Sequence, residues 1–163
     1  VALPMMRCAK DPRIIVVGSI NSRVGVPLLG PYVASKHALV GLLSSLRREL
    51  PPEGPKITLL EPGAVDTPLW DKVRAASAHL SNGESPEERS PYADLIASAR
   101  RRLVKTTRRG ISPAKVAEII ERCANRSNPP KRRLVGRDAR LAAAAEKLFA
   151  GRILDSLLRK FRS

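Results

Sequence analysis

Two short apolar runs, and the long helical period that separates them, constrain this chain more than any other feature. RIIVVG at residues 13–18 is β-branched, too short for a helix, and apolar at consecutive rather than alternate positions. A strand covered on both faces has that pattern, so the run reads as a central strand of a parallel sheet. KITLLE at residues 56–61 has the same character. Between them, Leu39, Leu42, Leu43, Leu46 and Leu50 recur at helical spacing, with Pro31 placed to open a helix over 32–50 and Pro51-Pro52 placed to end it. Strand, helix and strand in that order form a βαβ unit with a right-handed crossover, and the class expected is α/β.

Further along, a helix is expected to begin near Thr67-Pro68, with Asp66 or Thr67 as its cap, and SNGESPEERSP at 81–91 should break it. Residues 92–109 read as a polar helix. Ser112 and Pro113 should cap and open an amphipathic helix that ends near Asn125 and carries Val116, Ile119 and Ile120 on one face. RRLVG at 132–136 supplies a third short strand, and residues 139–161 one or two helices broken near Gly151. The expected organisation is one partial domain over residues 1–163. Within it, 71–110 form a variable loop region and 141–163 a basic helical tail. No internal repeat is present.

Composition matters mainly for partners. The formal net charge is +15, and from Arg100 onward 19 Lys or Arg stand against 5 Asp or Glu, so the excess is almost wholly C-terminal. Such a segment can neutralise phosphate or an anionic membrane surface, or simply solvate a face. Nucleic acid is disfavoured, because none of the few aromatic residues is interleaved with Arg100–Arg102 or Lys131–Arg133 to stack on bases. The stretch 141–163 alternates Leu, Ile and Phe with Lys and Arg, so peripheral membrane contact is the alternative to a terminal helix packed on the sheet, which is favoured. No apolar run approaches the roughly 20 residues that span a bilayer. Cys8 and Cys123 are too few for a disulfide framework and lack metal-site spacing, so no metal is expected and reduced thiols in a cytoplasmic setting are. The opening segment does not read as a secretory signal and resembles the continuation of a longer chain.

The chemistry concentrates around Tyr32-Val33-Ala34-Ser35-Lys36, where Tyr32 and Lys36 stand four apart and meet on one helix face. A phenol titrates near about pH 10 in water, so a tyrosine that exchanges protons near neutrality needs its phenolate stabilised, and a neighbouring ammonium does that. The positive end of the helix acts in the same direction. Ser19 stands at the carboxyl end of the first strand, and EPGAVDT at 61–67 leaves the carboxyl end of the second, with Gly63 allowing close backbone approach and Thr67 a hydroxyl. Open parallel sheets bind ligands at that edge.

This combination of Ser19, Tyr32-x-x-x-Lys36 and a strand ending in Pro62-Gly63, with SLRREL and ITLLEPGAVDTPLW around it, resembles the short-chain dehydrogenase/reductase family. The likeness is close through about residue 70 and looser through RRLVGRDAR at 132–140. It implies the second half of a doubly wound, Rossmann-type sheet and an NAD(P)-dependent oxidoreductase that interconverts an alcohol and a ketone or aldehyde. Tyr32 would be the general acid/base. Lys36 would assist it and hydrogen-bond the nicotinamide ribose, and Ser19 would polarise the carbonyl. The backbone of Pro62, Gly63 and Val65, with Thr67, would contact the nicotinamide carboxamide. The small-molecule substrate would be apolar, in the manner of the branch handling retinoids and steroids. The small residues Ala34, Ala38, Gly41 and Ser45 would lie in a homo-oligomer interface.

The chain departs from the family pattern in two places. Gly18 stands where a second Ser or other polar residue is common. No G-x-x-x-G-x-G and no Asn-Asn-Ala-Gly occurs, so the phosphate-cradling turn and the adenosine pocket are missing and the choice between NAD and NADP cannot be read. The likeness is therefore to the carboxyl-terminal part of such an enzyme, with little or no activity expected of it alone. His37 reads as a surface residue, and the alternative to an enzyme is a non-catalytic module that binds an anionic surface through its basic third.

Overall fold

Three parallel strands in the order β1-β2-β3 carry the fold: β1 Arg13–Val17, β2 Lys56–Pro62 and β3 Arg132–Val135. The computed structural model describes residues 2–68, 95–99, 101 and 110–149. Register runs from Arg13 opposite Lys56 to Val17 opposite Leu60, and from Leu59 opposite Arg132 to Pro62 opposite Val135. Helix α1 (Ala2–Arg7) precedes β1, α2 (Gly30–Glu49) crosses from β1 to β2, and α3 (Pro113–Ala124) and α4 (Arg137–Phe149) flank β3. None of the helices among the described residues is long and apolar enough to cross a membrane.

The alternation of side chains along the strands builds two cores. Ile14, Val16, Ile57 and Leu59 lie with Val40, Leu43 and Leu46 of α2, and Leu50 just after it, on one face. Ile15 and Leu60 lie with Val116, Ile119, Ile120 and Cys123 of α3 on the other, joined by Val135. This is helix, sheet, helix, the layering of a doubly wound α/β fold. Arg47 of α2 ties the layers at the opposite end from the catalytic candidates, donating to the carbonyls of Ile57 (3.3 Å) and Lys131 (2.8 Å).

The helix boundaries follow the punctuation. Pro31 sits in the first turn of α2, and the chain leaves the helix at Leu50, before Pro51. Ser112 caps α3, its Oγ accepting from the Lys115 N–H at 3.2 Å, with Pro113 at the first helical position. Gly136, at φ 105°, takes the left-handed turn between β3 and α4 that favours glycine.

The run at 13–18, a strand of central type whose outer neighbour was expected to be missing from this chain, stands at the edge among the described residues. Its outer edge has no strand partner there, Val17 is 47% exposed, and β2 is the buried centre of the sheet. Leu42 leaves the apolar stripe of α2 and is 63% exposed, because the stripe that meets the sheet runs through Val40, Leu43 and Leu46. Helix α1 was not anticipated, and Pro4 in its first turn is compatible with it. Residues 95–99 are helical, as expected. Most of 71–110, the helix expected from Thr67-Pro68, and the tail beyond α4 lie outside the described residues.

Candidate active site

The carboxyl end of the sheet gathers the three chemical motifs. Gly18 extends β1 by one bond, its N–H donating to the Leu60 carbonyl at 2.8 Å. A Cβ there would stand 2.9 Å from Leu59 Cδ1 and 3.2 Å from the Leu60 carbonyl oxygen, so close packing on β2 accounts for glycine where a polar residue was anticipated. The chain then turns at once. Ser19 is buried and caps a single 3₁₀ turn, Ile20–Ser22, its Oγ accepting from the Asn21 N–H at 3.2 Å and its carbonyl from the Ser22 N–H at 3.0 Å. That turn packs directly against α2.

Tyr32 and Lys36 occupy the first turns of α2 on one side. The Lys36 ammonium lies 5.4 Å from the centroid of the Tyr32 ring, over its face, within the range of a cation–π contact. Tyr32 is 42% exposed, so the phenol is accessible from outside. The loop before it carries Val26 and Leu28, both exposed, and Leu28 has φ 66°, a conformation that costs a residue with a Cβ about 1–2 kcal/mol. His37 is exposed and its Nδ1 is 3.0 Å from the Val33 carbonyl, a contact within the helix that keeps it out of the site. Ala34, Ala38, Gly41 and Ser45 are all exposed, so nothing among the described residues covers that stripe.

The loop after β2 is held more tightly than the sequence suggested. Pro62 ends the strand, and the Gly63 N–H donates to the Val135 carbonyl (2.9 Å). The Ala64 N–H donates to Asp138 Oδ2 (2.7 Å), and Val65 bridges to Ile111, which exchanges backbone bonds with Ala64 and Asp66. The close approach that requires Gly63 is to Asp138, whose carboxylate a Cβ at position 63 would strike. The N–H groups of Gly63, Ala64 and Asp66 and the Ala64 carbonyl are thus engaged within the protein, with the half-buried Thr67 following them.

One cluster escaped the sequence reading altogether. Glu61, the residue before Pro62, is fully buried. It accepts from Ser22 Oγ (2.5 Å), from Arg23 Nε (3.0 Å) and Nη2 (2.7 Å), and from Arg132 Nε (3.0 Å) and Nη2. Burial alone would raise its carboxyl pKa, but the hydrogen bonds from Arg132, Arg23 and Ser22 outweigh it and hold the pKa at about 2 against an ordinary 4.5. The only hint in the sequence was a lone Glu at the end of an otherwise apolar strand, a position where a charge survives only if paired.

The comparisons with known proteins bear on this geometry. Residues 1–78 match the family model described as short chain dehydrogenase. The uncharacterized oxidoreductase YusZ of Bacillus subtilis is 34% identical over 160 residues, 97% of this chain and 55% of that protein. A short-chain dehydrogenase from Streptomyces avermitilis superposes with a TM-score of 0.67 at 25% identity, over 97% of this chain and 53% of that one.

The chain is a partial fold of short-chain dehydrogenase/reductase type.

A further structure, a short-chain dehydrogenase/reductase from Burkholderia phymatum in complex with NAD, superposes with a TM-score of 0.58 at 27% identity and covers 90% of this chain and 51% of that one. The chain therefore spans about half the length of the short-chain dehydrogenases and reductases it matches. For a dinucleotide of the kind that neighbour holds, the residues present fit one end. The Lys36 ammonium and the Tyr32 and Thr67 hydroxyls suit a ribose and a carboxamide. No Gly-rich turn for a pyrophosphate occurs in the 163 residues.

Proposed function

We propose that this chain carries the catalytic residues of an NAD(P)-dependent oxidoreductase interconverting an alcohol and a ketone or aldehyde on a small, apolar substrate. One observation carries the reading: an accessible Tyr32 with Lys36 over its ring stands on the helix against which the Ser19 turn packs, at the carboxyl end of a parallel sheet. Tyr32 transfers the proton to and from the substrate oxygen. Lys36 holds its ammonium over the phenol ring and reaches the nicotinamide ribose. Ser19 donates to the carbonyl oxygen, and the backbone of Pro62, Gly63 and Val65 with Thr67 orients the nicotinamide. When bound, the cofactor supplies the hydride. Exposed Val26 and Leu28 beside Tyr32 support an apolar substrate. A cytoplasmic setting and a homo-oligomer joined through the exposed small-residue face of α2 complete the proposal.

The membrane-binding alternative rests on Leu141 and Leu148 of α4, two turns apart and both exposed, but the family match and the site favour the enzyme.

The test is Ser19→Ala in a chain that also supplies a Gly-rich pyrophosphate turn, assayed by oxidation of NADH and NADPH with apolar ketones and aldehydes. Loss of one preorganised donor to the reacting oxygen should lower the rate about 10²-fold or more. A rate within about twofold of the parent would reduce Ser19 to a loop residue.

A further inference from the structure

We propose that Glu61 is the positioning residue of the Ser19 turn, clamping residues 19–23 onto the sheet from below through Ser22 and Arg23 while Arg132 anchors it to β3. The inference rests on the reading of Ser19 as the donor to the substrate oxygen.

The geometry leads there step by step. Ser19 is fixed locally by one turn of 3₁₀ helix, whose own bonds are the Ser22 and Arg23 N–H groups to Ser19 and Ile20 at 3.0 and 2.9 Å. An isolated turn of that length is too short to hold a hydroxyl in one place. Glu61 projects from the same sheet face as Ile57 and Leu59, the face α2 covers, and lies beyond Leu59 toward the carboxyl end. From there a single carboxylate takes hydrogen bonds from the last residue of the turn, Ser22, and from the residue that caps it, Arg23. Arg132, whose backbone pairs opposite Leu59, donates to both carboxylate oxygens and also reaches Ser22 Oγ at 3.4 Å. The turn, the central strand and the edge strand β3 are thus joined at one buried point, three residues in sequence from Ser19. Charge-assisted and bidentate bonds of this kind fix direction as well as distance, which is what a side chain that must be preorganised for a reaction needs from the residues beneath it. A hydrophobic residue at position 61 would serve the core as well and would leave the turn to its own local bonds.

The experiment is amide hydrogen exchange on the 163-residue chain at neutral pH, comparing the wild type with Glu61→Gln, Arg23→Met and Arg23→Lys. Arg23→Met leaves Glu61 paired with Arg132 and so keeps the fold, while it removes the cation on the turn side. The expected result is that exchange at Ser22, Arg23 and Val24 in Glu61→Gln and Arg23→Met accelerates at least tenfold more than at the β2 amides and Gly18, which report the global loss of stability, with recovery of most of the protection in Arg23→Lys. Three results overturn the clamp: wild-type exchange of the turn in both variants, equal acceleration of turn and sheet, which is the signature of a purely global loss of stability, or a wild-type chain with no protection in the turn at all. Exchange reads the turn and not turnover, so its outcome is separate from that of Ser19→Ala. The expected exchange pattern together with an unaffected Ser19→Ala rate would retain the clamp and remove Ser19 from the reaction.

Discussion

Tyr32→Phe should abolish turnover, by about 10²- to 10⁴-fold, in a chain that supplies the pyrophosphate turn, while leaving cofactor affinity nearly intact. The substitution removes one oxygen and its proton from a ring that is otherwise unchanged. Tyr32 is exposed and its hydroxyl is not part of the packing of α2 on the sheet, so the fold should tolerate the change. Lys36→Ala should behave differently. It removes the ammonium over the Tyr32 ring and the group reaching the ribose, so both the rate and the cofactor affinity should fall. Steady-state assays, with cofactor affinity measured separately, distinguish the two. Turnover at the wild-type level in Tyr32→Phe would remove the tyrosine from the chemistry.

The contrast between what the sequence disclosed and what it hid follows from the range of each interaction. Tyr32 and Lys36 are four apart on one helix, so their proximity is a local consequence of 3.6 residues per turn and was legible without a fold. The same holds for Ser112 before Pro113, and for β2, whose consecutive apolar residues are buried on both faces. The Glu61 cluster joins residues 38, 39 and 71 positions apart. No period or spacing announces such a contact, and only the parallel register of β2 with β3 brings Arg132 to it. Asp138 and Ala64, 74 apart, are in the same position. The edge position of β1 was legible only from the missing Gly-rich segment, not from the strand itself. Its apolar composition is that of a doubly covered strand, and composition states which partners a strand is fitted for, not which stand beside it.

Glu61→Ala should be the most destabilising single change in the described residues, at about 3–5 kcal/mol, because it leaves the inner ends of two guanidinium groups in the core without the carboxylate that neutralises them. Against a total stability of roughly 5–15 kcal/mol for a domain, that brings the chain close to unfolding. Acid should reproduce part of the loss. The Glu61 pKa is lower in the fold, about 2, than the ordinary 4.5, so the unfolded chain binds the proton more readily. The stabilisation is therefore complete above about pH 4.5 and is lost as the pH falls toward 2. A full shift of this size corresponds to about 3 kcal/mol, and screening at the outer ends of Arg23 and Arg132, whose side chains are 32% and 30% exposed, reduces it to about 1–3 kcal/mol. Asp11 and Glu118 are also held low, by Arg13 and Lys115 respectively, but they are solvated and should add only a shallow slope common to every variant. Denaturant unfolding of wild type and Glu61→Gln between pH 7 and pH 2 separates these contributions. The wild-type midpoint should fall steeply below pH 4.5, whereas the glutamine variant, less stable at pH 7, should lose little more on acidification. Parallel curves for the two proteins would mean that the carboxylate is not the group through which acid acts on this fold.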